Sequence, residues 1–302
     1  MKNRSLVSIS DYSKEEIIKI LDLAEDFEKQ PRQELLKGKV IASLFFEPST
    51  RTRLSFESAV QQLGGSIIGF SSTATTSVQK GETLKDTILT VSNYSDLIVM
   101  RHPVDGSARY ASEVAPVPII NAGDGANQHP TQCLLDLYSI RKTQGTLDNL
   151  DITFIGDLKY GRTVHSLVIA LCHFNTRFHL VSPVELKLPS AVKRHIKEAN
   201  LRYEQYTDLA DVIPTSDIIY MTRIQRERFP DPLDYEKVKN SYILQNDALE
   251  HAKQNMRILH PLPRVNEISV DVDNNPMAYY FQQALNGVYV RQAIVSSILG
   301  LK

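Results

Sequence analysis

Several things are scarce in this chain of 302 residues, and each scarcity removes a class of function. Cysteine occurs only at Cys133 and Cys172, which make neither a disulfide framework nor a four-ligand zinc site. Neither sign of charge is in excess: 34 Lys+Arg face 35 Asp+Glu, for a formal net charge of −1 and a pI near 6.7. A general nucleic-acid binder would carry a basic surplus. Long apolar runs are missing too. The longest stretches, such as Val40–Phe46 and Leu167–Cys172, fall far short of the ~18 residues that cross a bilayer. Met1-Lys2-Asn3-Arg4 and the residues up to Ser8 hold no apolar segment of a secretory leader. No His-Glu-x-x-His or paired Cys/His spacing supports metal catalysis, and no Gly-x-Ser-x-Gly elbow supports a serine hydrolase. The expectation is a cytoplasmic protein with no membrane and no nucleic-acid partner.

What is present is a regular alternation of strand and helix patterns. At ~150 residues per domain the length suggests two domains. Ser13 and Glu16 form a capping box, and Ile17, Ile20, Leu21, Ala24 and Phe27 follow at helical spacing. Val40–Phe46 reads as a buried parallel strand. Phe56, Ala59, Val60 and Leu63 share one face of the next helix, which stops at Gly64-Gly65. Further strand-like runs lie at Ser66–Phe70, Asp96–Met100, Val117–Asn121, Ile152–Ile155, Phe178–Ser182, Asp217–Met221 and Met256–Leu259. This pattern predicts an α/β chain: two doubly wound parallel-sheet domains with helices on both faces and the active site in the cleft between them. The expected boundary puts residues 1–147 in one domain and 148–283 in the other, with a last helix, about 284–302, packing back on the first. Ser71–Ser77 reads as a polar loop rather than a helix or strand.

Polar clusters follow the strands. Ser49-Thr50-Arg51-Thr52-Arg53 comes after Val40–Phe46, Arg101-His102-Pro103 after Asp96–Met100, and His129 after Val117–Asn121. Arg162 comes after Ile152–Ile155, Arg223 after Asp217–Met221, and His260-Pro261-Leu262-Pro263-Arg264 after Met256–Leu259. Ligands of open parallel sheets bind beyond the carboxyl ends of the strands, so cationic and hydroxyl groups gathered there suggest small anionic substrates. At Ser49–Arg53, a helix start offers unpaired N–H groups and Arg51 offers a planar fork of donors. Plain N-capping with solvated arginines is the bland alternative. Gly156–Thr163 is a near miss to a P-loop, but Arg162 replaces the lysine and Asp157 and Tyr160 crowd the spacer, so a turn presenting Arg162 is the better account. His102 and His260 each precede a proline and either could be structural. His129 differs, with Asp124, Asn127 and Gln132 around it.

Taken together, Phe45–Arg53, Lys80-Gly81-Glu82-Thr83, Arg101-His102-Pro103, His129-Pro130-Thr131-Gln132 and Gly156–Thr163 resemble the signatures of the transcarbamoylases, in the family's order and over nearly the whole chain. Arg223-Ile224-Gln225 and His260-Pro261-Leu262-Pro263 look like the aspartate branch; the ornithine branch carries a cysteine in place of Pro261. The resemblance implies transfer of a carbamoyl group from carbamoyl phosphate to the amine of L-aspartate, in pyrimidine synthesis, with no metal or organic cofactor. It implies that Ser49, Thr50, Arg51 and Thr52 hold the phosphate and that Arg101 bridges phosphate and carbonyl. Thr52, Arg101 and His129 would polarise the carbonyl, and Gln132 would orient the carbamoyl nitrogen. Arg162, Arg223, Gln225 and the backbone at Pro261-Leu262 would bind aspartate. Ser77 and Lys80 would reach a neighbouring subunit's site in a homotrimer, Ser77 to bind carbamoyl phosphate and Lys80 as a catalytic residue that binds both substrates, with Thr76 the alternative to Ser77. Regulatory chains in a larger assembly are a further implication, carried partly by Arg223–Arg228. A transcarbamoylase for another amine, or a catalytically silent relative, are the competing readings; the second predicts damage among Arg51, Thr52, Lys80, Arg101, His129 and Arg162, and none is seen.

Overall fold

Two parallel sheets organise the chain in the computed structural model, which describes residues 1–226, 229 and 231–302. Each belongs to its own unit, Met1–Tyr138 with Ala284–Lys302 and Ser139–Gln283.

In the first unit the elements are α1 (Lys14–Lys29), β1 (Val40–Phe45), α2 (Thr50–Gln62), β2 (Ser66–Phe70), α3 (Leu84–Ser92), β3 (Leu97–His102), α4 (Ser107–Val114), β4 (Ile119–Asp124) and the start of α5 (Pro130–Gln144). Strand order is β2-β1-β3-β4, parallel throughout. The chain leaves β1 in one direction for β2 and then reverses to reach β3 and β4. With right-handed crossovers, that reversal sends α2 to one face and α3 and α4 to the other. Ile88, Ala108 and Ala111 of the latter pair share a buried cluster with Ala42, Leu44, Ile98, Met100 and Ile119. The capping box at Ser13 forms as the sequence predicts: Ser13 Oγ accepts from the Glu16 N–H and Glu16 accepts from the Ser13 N–H.

The second unit contains β5 (Asp151–Ile155), α6 (Arg162–Leu171), β6 (Arg177–Val181), α7 (Ser190–Glu198), β7 (Tyr203–Tyr206), β8 (Ile218–Met221), α8 (Pro232–Val238) and β9 (Arg257–Leu259). The parallel order β7-β6-β5-β8-β9 again reverses, this time between β5 and β8. The final helix α9 (Tyr280–Leu299) runs into the first unit, where the Asn3 N–H donates to Ile298 O and Gln292 Nε2 donates to Pro31 O at 2.6 Å.

Three expectations are corrected. Strand β7 carries no signal in the sequence reading, because it is a short edge strand with Glu204 and Gln205 exposed. β3 and β4 extend to His102 and Asp124, so Arg101 and His102 lie within a strand rather than after it. Part of the polar stretch 71–77 winds into single 3-10 turns, Thr73–Thr75 and Ser77–Lys80. Among the described residues, no helix is long and apolar enough to cross a membrane, and no cluster of three or more His, Cys, Asp or Glu could hold a metal ion.

Candidate active site

Pro48 follows β1 after two residues, and the chain turns straight into α2. Ser49 is the N-cap residue, extended at φ −157°, yet its hydroxyl makes no capping bond. The hydroxyl accepts instead from Arg101 Nη1 at 3.3 Å. Parallel pairing places Phe45 beside Arg101, so the two strand ends present the α2 N-terminus and a guanidinium together. This is the reversal point of the first sheet, where open parallel sheets bind ligands. Thr50 and Arg51 are exposed on the first turn, while Thr52 is buried. The bland capping account fails for Ser49, whose side chain is left for a ligand or for Arg101. It holds for Arg53, which pairs with Glu57 at 2.9 Å along the helix.

At the end of β4 a buried polar knot shapes the approach to His129. Asp124 Oδ1 accepts from Asn121 Nδ2 at 2.9 Å, and Oδ2 accepts from the Gly106 N–H at 2.8 Å and Asn127 Nδ2 at 3.1 Å. Asn121 Oδ1 in turn accepts from the Gly123 N–H. These bonds satisfy the buried carboxylate and amide that end β4. The loop delivers His129 to the N-terminus of α5, where the N–H groups of Gln132 and Cys133 donate to His129 O. The His129 ring is buried, with Nδ1 3.5 Å from Thr131 Oγ1. Gln132, also buried, donates from Nε2 to Asp136. His102 is structural: its Nδ1 accepts from the Val104 N–H, and burial holds its pKa below the ordinary histidine value. In the exposed turn 77–80, Ser77 and Lys80 face solvent, whereas the Thr76 hydroxyl donates to Thr73 O at 2.9 Å.

In the second unit, β5 and β8 end side by side at the reversal point of their own sheet. Gly156 sits at φ +113°, where an added Cβ would lie 2.3 Å from Thr222 O, so the strand ends approach closely. The loop after it closes on Asp157. That buried carboxylate accepts N–H groups from Tyr160, at 2.9 Å, and from Gln225 and Lys159. Backbone donors that a P-loop would aim at phosphate are thus turned inward, and the nucleotide reading falls. Burial outweighs those bonds and pushes the Asp157 pKa up to about 6. Arg162 opens α6 and is 9% exposed; Arg223, after β8, and Gln225 are half-buried. Arg223 lines a pocket with Gly156, Thr222, Tyr235 and Lys239. Glu227 and Arg228 lie outside the described residues.

The backbone at Pro261-Leu262 is set by His260. The Leu262 N–H donates to His260 Nδ1 at 2.7 Å, so that nitrogen carries no proton, and Nε2–H donates to Glu267 at 2.7 Å. Burial keeps the imidazole neutral, and bonds from His260 more than offset burial to hold Glu267 ionised. Leu262, held this way, adopts φ +56°, a left-handed conformation rarely taken by a bulky side chain.

Comparison with known proteins shows the family. Residues 4–142 match the family described as "Aspartate/ornithine carbamoyltransferase, carbamoyl-P binding domain", and residues 148–298 match its "Asp/Orn binding domain". The chain belongs to the aspartate/ornithine carbamoyltransferase family. It is 64% identical over 302 residues to the aspartate carbamoyltransferase catalytic subunit of Parabacteroides distasonis, covering all of this chain and 99% of that one. Among solved structures, the catalytic subunit of M. jannaschii aspartate transcarbamoylase superposes with a TM-score of 0.91 at 51% identity, covering 98% of each chain. Aspartate transcarbamoylase from Trypanosoma cruzi, in complex with carbamoyl phosphate and aspartate, superposes at 0.94 with 39% identity, over 99% of this chain and 97% of that chain.

For a carbamoyltransferase-family chain, the sequence motifs omit four residues that the structure ties to the sites. Glu47 takes Arg101 Nη2 at 2.9 Å. Asp136 holds Gln132, Glu267 holds His260, and Asp157 closes the loop before Arg162. Glu47 and Asp157 lie inside quoted motifs and could have been found there. Asp136 and Glu267 announce themselves only through contacts.

Proposed function

We propose that this chain is the catalytic chain of an aspartate carbamoyltransferase acting in de novo pyrimidine biosynthesis. It transfers the carbamoyl group of carbamoyl phosphate to L-aspartate, giving N-carbamoyl-L-aspartate and phosphate. The observation that carries the reading is the meeting of the Ser49 hydroxyl, which makes no capping bond, the α2 N-terminus and Arg101 at the reversal point of the first sheet. In this reading Ser49, Thr50, Arg51 and Thr52 take the phosphate, and Arg101 spans phosphate and carbonyl. His129, Thr52 and Arg101 meet the charge that develops on the carbonyl oxygen as the amine nitrogen attacks the carbon. Donors fixed there stabilise the transition state more than the ground state. As the tetrahedral centre collapses, the carbon–oxygen bond to phosphate breaks and the amine gives up its proton. Gln132 contacts the carbamoyl nitrogen.

Arg162, Arg223, Gln225 and the backbone at Pro261-Leu262 take the carboxylates of aspartate. Neutral, tautomer-fixed His260 supports that backbone. The first domain, about residues 1–147 with the C-terminal helix, then serves carbamoyl phosphate, and residues 148–283 serve aspartate. We further infer a homotrimer in which Ser77 and Lys80 complete a neighbour's site, since both stand exposed on a short turn. Regulatory chains and a cytoplasmic location belong to the same reading.

The test is product formation from carbamoyl phosphate with aspartate and, separately, with ornithine. Carbamoyl-aspartate alone is expected. Turnover with ornithine in its place would overturn the assignment to aspartate, and no turnover with either would overturn the activity.

A further inference from the structure

The second turn of α5 holds a buried carboxyl group that the anion-binding motif does not use. Asp136 is 0% exposed, and its Oδ1 accepts from Gln132 Nε2 at 2.8 Å. On α9, Arg291 is 2% exposed; burial pushes its pKa down to about 10, and the charge of Asp136 acts against that shift. The Arg291 guanidinium lies 5.0 Å over the Phe56 ring of α2, Nη1 donates to Gly287 O at 3.0 Å, and Nε has no hydrogen-bond partner among the described residues.

On an exposed helix, an i,i+4 pair such as Gln132–Asp136 would be a minor helix-stabilising contact. Burial changes its meaning, because a carboxylate removed from water is kept only where partners compensate it. An ionised carboxylate accepts and cannot donate, so it admits only the NH2 side of the glutamine amide. Oε1 is therefore turned away from Asp136. An acceptor so fixed pairs with a ligand N–H and leaves a ligand methyl group unpaired.

We propose that Asp136, braced by Arg291, is a positioning residue that locks the Gln132 amide with its oxygen towards the carbamoyl nitrogen, and so selects carbamoyl phosphate over acyl phosphates of the same shape. This rests on the reading of Gln132 as the contact for that nitrogen. Acetyl phosphate is the discriminating probe, since it differs from carbamoyl phosphate by methyl in place of NH2.

The experiment measures, on the full chain, kcat/KM for carbamoyl phosphate and inhibition constants for acetyl phosphate and inorganic phosphate. In Asp136→Asn the amide can turn over. The preference for carbamoyl over acetyl phosphate is expected to fall about tenfold, the size of one net hydrogen bond, while inhibition by inorganic phosphate stays within about twofold. Asp136→Leu with Arg291→Met removes the clamp without stranding the guanidinium, and covers the case in which the single variant does not fold. Unchanged preference in a folded variant overturns the proposal. So does a proportional loss of all three ligands, or failure of both variants to fold, since either marks a purely structural pair. Gln132→Met separates the levels: if it keeps the wild-type preference, the reading of Gln132 itself has failed, whatever Asp136 does.

Discussion

Arg101 shows how much a single side chain in this fold has to reconcile. Its Nη1 reaches the N-cap serine of α2, its Nη2 is held by Glu47, and its Nε is buried with no hydrogen-bond partner among the described residues. A phosphate entering beside Ser49 competes with Glu47 for the same fork, and bidentate geometry with a dianion favours the phosphate. The His129 ring is buried with Nδ1 3.5 Å from Thr131 Oγ1, and its backbone carbonyl accepts from the N–H groups of Gln132 and Cys133, bonds that alanine keeps. His129→Ala should therefore spare the fold and remove one oxyanion donor. A fall in kcat of ~10²–10³ is expected, with the thermal midpoint changed little. Steady-state kinetics beside a melting curve check both halves, and near-normal kcat would remove His129 from the chemistry.

Asp157 gives a residue-level prediction of another kind. Burial raises its pKa from the model-compound value of 3.8 to about 6, so the folded protein holds this proton more tightly than the unfolded chain. The contribution to stability is present below about pH 4 and is lost as pH rises through about 6. Relative to Asp157→Asn, the wild type should lose up to ~3 kcal/mol between pH 4 and 7. Other carboxylates change stability over the same range, so the difference between the two proteins is the quantity to follow. Urea titrations at several pH values measure it; parallel stability curves would show that burial does not govern this carboxyl.

At the scale of elements, the tightest fit is between β1 and β2. Gly69 pairs with Ser43 and adopts φ +145°, and an added Cβ would lie 2.0 Å from Ser43 O. β1 cannot retreat, because β3 flanks it on the other side. Gly69→Ala should cost roughly 2–4 kcal/mol through clash and backbone strain, read from denaturant unfolding. A loss below about 0.5 kcal/mol, the range of ordinary surface substitutions, would mean that the sheet yields more easily than the register implies. Much of this scale was legible beforehand. Buried parallel strands such as Val40–Phe45 read as apolar runs, and α1 shows its capping box and apolar stripe openly. Two features escaped for definite reasons. Tyr203–Tyr206 is an edge strand of four residues, too short for alternation to stand out. The end of β4 runs beyond the apolar stretch through Ala122 and Gly123 to Asp124, and the buried side chains of Asn121 and Asp124 are tolerated there because they bond one another.

The site divides along the same line. The residues proposed to meet a ligand lie at or just beyond strand ends within short motifs, so Ser49, Arg101, His129 and Arg162 stand out in the sequence. Residues that hold them are distant partners. Arg291 is coupled electrostatically to Asp136 from the far end of the chain, and no spacing rule links the two.

For the whole molecule, the proposal that Lys80 works in a neighbour's site has a consequence that a self-contained chain cannot imitate. Lys80 is exposed on its turn, so Lys80→Ala should leave its own chain folded. Mixed with His129→Ala chains and allowed to exchange subunits, it forms hybrid trimers. A site in such a hybrid is intact only when His129 comes from a Lys80→Ala chain and Lys80 from an adjoining His129→Ala chain. With equal mixing and closed threefold symmetry, about a quarter of the sites meet both conditions. Two nearly inactive proteins should together recover about a quarter of wild-type activity, and only after exchange. Sedimentation of the same mixture should give particles of three 34.1 kDa chains. Recovery of nothing, while those particles form, would place each complete site within one chain and leave Lys80 a solvated surface charge.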